Sequence, residues 1–124
     1  MIINKGGEIM AGQKLWAQII GIVLILVGIL GFFMSSPLLG FFGVNGLHNG
    51  VHIVTGLIFL WAGFAGNAPV KKVNQWLGVI YILIGIVGFF VALTFLNMEA
   101  GMDPDNWLHL VIGVVSAIVG WTAK

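Results

Sequence analysis

Three histidines and one aspartate stand at spacings that could assemble a metal-ligand set: His48 and His52 four residues apart, and Asp105 and His109 four residues apart. Residues four apart share one face of a helix, so each pair would send two donors the same way. Three imidazoles and a carboxylate form a donor set for a transition metal such as zinc, iron or copper. His52 and His109 alone would suit a haem or chlorophyll, given a flat apolar slot. The amides of Asn45, Asn49 and Asn106 join His52 and His109 in a polar cluster that could instead hydrogen-bond between helices or to loop carbonyls. Ionisable groups in apolar helices also mark conduits for protons or small solutes. No Asp, Glu, Lys or Arg, however, stands in the middle of any apolar run.

The two donor pairs belong to a repeat. Shifting the chain by 57 residues pairs Asn49 with Asn106, His52 with His109, Gly21 with Gly78, Gly28 with Gly85, Gly56 with Gly113 and Gly63 with Gly120. Of the 51 pairs from Lys14 to Phe64, 16 are identical, and apolar composition alone would not keep Gly, Asn and His in step. The repeating unit reads as a two-helix hairpin used twice. A unit that crosses a membrane twice gives copies that run the same way about an axis along the membrane normal. His48 and Asp105 occupy equivalent positions, so the donor sets of the two halves differ there. Glycines at helical spacing let membrane helices approach closely, so these stripes should face protein and carry Asn and His inward.

Composition fixes the solvent. The 124 residues are 60% hydrophobic and only 7% charged, against about 25% charged in a soluble domain. Lipid must therefore surround most of the chain. Five lysines, no arginine and a net charge of +1 carry no basic run for nucleic acid. The absence of cysteine excludes disulfides and thiolate ligands. No hydrolytic triad spacing, carboxylate pair within a span or phosphate-binding glycine loop is present, so the chain does not read as an enzyme.

Apolar runs at about 15–33, 47–65, 76–96 and 106–122 give four spans in a single domain over 15–124. Residues 1–14 form a polar tail. Lys5-Gly6-Gly7-Glu8 before Met10 back-translates to a ribosome-binding sequence, so translation is expected to begin at Met10, with 1–9 not native. Ser36 and Pro37 are suited to opening a short helix in the first connection, and Asp103 and Pro104 to opening the last span. All lysines fall at one end of the spans, and Glu99, Asp103 and Asp105 at the other. The positive-inside rule then puts both termini in the cytoplasm, with Trp16, Trp61, Trp76 and Trp121 at the lysine-bearing interface.

The motifs from Val44 to His52 and from Asp105 to Gly113 resemble those of a group of small, largely uncharacterised bacterial four-helix membrane proteins, catalogued as a domain of unknown function. The resemblance extends over roughly 14–122. It implies a bundle fold and a bacterial cytoplasmic membrane, and no substrate or cofactor. The expectation is an all-α transmembrane bundle of two parallel-repeat hairpins. Its first-choice role is structural or accessory, packing or docking a partner through the Asn/His cluster, with no cofactor by default. The alternatives are a metal or tetrapyrrole site at His48, His52, His109 and Asp105, or a conduit. Partners are the lipid bilayer and a homo-oligomer or larger membrane complex.

Overall fold

A computed structural model describes residues 10–34, 45–96 and 98–124. Four α-helices account for most of them: α1 (Ala11–Phe33), α2 (Gly46–Phe64), α3 (Val70–Phe90) and α4 (Pro104–Thr122), with a 3-10 turn at Thr94–Leu96. No strand occurs among the described residues. The tail of residues 1–9 before the expected start, and the short helix opened by Ser36 and Pro37, lie outside the described residues.

The distribution of side chains is inverted relative to a protein in water. Gln13, His48, Asn49, His52, Asn74, Asp105, Asn106, His109 and Ser116 are buried, while Leu15, Leu26, Phe33, Leu57, Leu83 and Ile118 are more than half or about half exposed. Apolar surface outside and hydrogen-bonding groups inside suit a lipid solvent. Three helices, α1, α2 and α3, are long and apolar enough to cross a membrane.

Two hairpins make up the bundle. Within each, glycine lets the backbones meet: a Cβ at Gly21 would lie 2.9 Å from the Gly56 carbonyl, and one at Gly78 would lie 2.9 Å from that of Gly113. The contacts recur 57 residues on. Gln18 Nε2 donates to Gly63 O at 2.8 Å, and Gln75 Nε2 to Gly120 O at 3.0 Å. Gly31 packs on the Asn49 amide, and Gly88 on that of Asn106. Because Gly21, Gly28, Gly56 and Gly63, and their counterparts Gly78, Gly85, Gly113 and Gly120, are buried inside the hairpins, those faces are closed to a second copy.

The hairpins join at the lysine-bearing end. Gln13 Nε2 donates to the carbonyls of Val119, Gly120 and Ala123, closing the end of α4, while Asn74 Nδ2 donates to Gln13 Oε1 at 2.8 Å. Lys14 caps α2 through the Ala65 carbonyl. Orphan carbonyls at helix ends are costly in apolar surroundings, so these polar side chains belong to the helices rather than to a tail. For the same reason α3 starts at Val70 and ends at Phe90, instead of covering 76–96. Hydropathy misses a polar start in which the side-chain N–H groups of Asn74 and Gln75 donate inside the bundle. Trp16 also departs from the expected belt: its indole turns inward and donates to Ser116 Oγ at 2.9 Å.

Above that end lies an apolar layer of Ile20, Leu24, Phe59, Leu77 and Ile112. Beyond the layer, polar groups return.

Candidate metal centre

At the opposite end of the bundle, α2 and α4 stand diagonally, with no Cα of one within 8 Å of a Cα of the other among the described residues. Imidazoles span the gap. Asn45 caps α2 by accepting from His48 N at 2.8 Å, which places His48 in the first turn and His52 one turn deeper. Asp103 caps α4 by accepting from Asp105 N at 2.9 Å, with Pro104 opening the helix, which places Asp105 and His109 at matching depths.

The three rings meet. Their centroids are 4.4 Å apart for His48 and His52, 5.6 Å for His48 and His109, and 5.8 Å for His52 and His109. One nitrogen from each lies within 4.8 Å of the others, and all three residues are buried. Bonds of 2.0–2.1 Å to a tetrahedral ion put ligand nitrogens about 3.3 Å apart. Small side-chain rotations would close the difference. Asp105 is only 1% exposed and sits one turn before His109, but the group drawn together within 4.8 Å consists of the histidines.

Hydrogen bonding gives Asn106 and His52 different roles, although Oδ1 of Asn106, like that of Asn49, is itself buried without a partner. Asn106 Nδ2 donates to the carbonyls of Gly88, Glu99 and Gly101 at 2.9, 3.1 and 2.9 Å, pinning the connection from α3 to α4. Gly101, with φ of 82°, turns the chain there, and its N–H donates to Gly88 O at 3.0 Å. Asn106 therefore acts as a loop clamp. His52 does not: both of its ring nitrogens are buried without a hydrogen-bond partner, as is Nδ1 of His109. A buried polar atom left unsatisfied costs about 1–3 kcal/mol, so the pattern suits groups that take a ligand.

His48 is oriented from behind. Its Nδ1 lies 2.9 Å from Leu96 O, and a carbonyl only accepts, so Nδ1–H donates to it. Metal-ligating histidines characteristically donate their other N–H to a carbonyl or carboxylate. Tyr81 supports the opposite side, its ring centroid 5.6 Å from that of His109. Thr55 Oγ1 donates to Val51 O and lies 2.8 Å from Tyr81 Oη, so the phenol donates to it. Sequence reasoning missed Tyr81. The signal was its place on the stripe of Gly78, Gly85 and Gly88, where every other member faces α4.

Asn45 Nδ2 donates to Phe95 O at 2.9 Å, so the same connection is tied to both ends of the first turn of α2. A family model, Domain of unknown function (DUF4383), matches residues 14–122. The chain belongs to that family. Its matched region contains all four helices except the first three residues of α1 and includes every histidine. No curated protein and no solved structure compared with the chain matches it.

Proposed function

We propose that this is a four-span protein of the bacterial cytoplasmic membrane that binds one transition-metal ion between His48, His52 and His109. The observation that carries the reading is the set of three buried imidazoles with ligand nitrogens within 4.8 Å, two of them holding nitrogens that no hydrogen bond satisfies. Imidazole donors suit late first-row ions. Asp105 is the candidate fourth donor, adding one negative charge beside the cation. A tetrapyrrole is disfavoured, because rings in mutual contact leave no flat slot between them. The apolar layer of Ile20, Leu24, Phe59, Leu77 and Ile112 weighs against a conduit.

The same reading makes α4 a fourth span. It has 19 residues, as many as α2, and its polar opening residues Asp105, Asn106 and His109 are buried in protein rather than turned to lipid. Both termini would then lie in the cytoplasm with the lysines. A reporter that works only in the cytoplasm should be active when fused after Lys124; activity confined to an extracytoplasmic reporter would reverse the orientation.

Cobalt(II) tests the metal reading. Equilibrium titration of the purified full chain should reach about one ion per chain, displaceable by zinc. Saturation below about one-tenth of an equivalent would refute it.

A further inference from the structure

We propose that a cavity of about 220 Å³, lined by Ala92, Thr94, Met98, Glu99 and Ala100 in the α3–α4 connection, is the vestibule through which the metal cation reaches the imidazoles. The proposal rests on the metal-binding reading above and adds a route and a side to it.

Two ties bring this cavity to the ligands. Leu96, two residues before Met98, holds His48 Nδ1 through its carbonyl at 2.9 Å. The Glu99 carbonyl accepts from Asn106 Nδ2 at 3.1 Å, and Asn106 is one turn from His109 on α4. The connection thus touches both ligand-bearing helices, and its residues on either side of and including Glu99 line the cavity. From the other direction access is shut: Leu24, Phe59 and Ile112 are each at most 5% exposed, and they fill the core between the histidines and the lysine-bearing end. The bundle admits an ion from one end.

The lining has the chemistry for transit. Glu99 is exposed, so its carboxylate offers a hydrated cation an attractive field at the mouth. Met98 is 2% exposed and presents a thioether, a weak, soft donor that can hold a partly dehydrated ion without trapping it. Neither belongs to the imidazole group. A vestibule should therefore control how fast the ion arrives and leaves, while the histidines control how tightly it stays.

Stopped-flow loading of cobalt(II) into the purified full chain in detergent, with Glu99→Lys and Glu99→Gln, tests this at low and high ionic strength. The Glu99 side chain is exposed, and its backbone carbonyl, which Asn106 binds, is retained in both variants. Association should slow about tenfold in Glu99→Lys at low salt, at the lower end of electrostatic steering, and about threefold in Glu99→Gln, which changes one unit of charge instead of two. The difference should vanish at about 0.5 M salt, where screening is nearly complete within a few ångströms. Release should slow in proportion, leaving the equilibrium constant as in the wild type. Unchanged association at low salt would overturn the vestibule, as would a lower affinity with normal association, which would make Glu99 a ligand. Wild-type protein that takes up no cobalt would instead refute the metal reading, and this one with it.

Discussion

His52→Ala should lower cobalt(II) or zinc(II) affinity by at least about 100-fold while leaving the bundle folded. Disturbing only the outer partners of a metal ligand commonly costs about 10–100-fold, so removing a ligand should cost no less. His52 is the most informative of the three because no hydrogen bond holds either of its ring nitrogens, so its loss breaks no other polar contact. His48 is less clean, since its ring also ties down Leu96. Circular dichroism and a thermal melt check the fold, and isothermal titration reads the affinity. A His52→Ala variant that binds as the wild type does would remove the ring from the site. A variant that unfolds would favour a structural role for the imidazole.

Gly88→Ala should destabilise the protein by about 2–3 kcal/mol, at the upper end of what overpacking costs. A methyl group at Gly88 would coincide with the amide of Asn106, so the amide must move. Its three hydrogen bonds to Gly88, Glu99 and Gly101 would be lost or strained, at about 0.6 kcal/mol for each such bond in a membrane protein. Gly50→Ala is the control, because nothing lies within 4 Å of the added atom and alanine is the better helix former by up to about 1 kcal/mol. Urea or detergent titration of the two variants should move in opposite directions. Equal shifts would show that the Gly88 contact contributes nothing particular.

The meeting of the three imidazoles was legible because it follows from helix periodicity and the sequence spacing, whereas Asp105 is not drawn into their group. Four-residue spacing in two apolar segments, with Asn and Gly in register 57 residues apart, places His52 and His109 at the same depth and His48 beside them. That Asn106 would bond loop carbonyls was one of the alternatives for the polar cluster, but which carbonyls was not legible. What escaped was whatever depends on the backbone. The Leu96 carbonyl that holds the ring of His48 has no signature in residue type. Hydropathy also misplaced α3, because the turn containing Lys71, Lys72, Asn74 and Gln75 is polar by type yet helical by position. Gln13 was assigned to a tail although it closes the end of α4, a role that requires knowing which helix lies opposite. Tyr81 stands where the first hairpin has Leu24, and its contact with His109 was missed because its place on the glycine stripe facing α4 was not used.

The most direct measurement on the central claim is the X-ray absorption spectrum at the metal edge of the cobalt- or zinc-loaded chain. Three imidazole shells with first-neighbour nitrogens at about 2.0–2.1 Å are expected. A first shell of oxygen alone, with no imidazole scattering beyond it, would contradict the account.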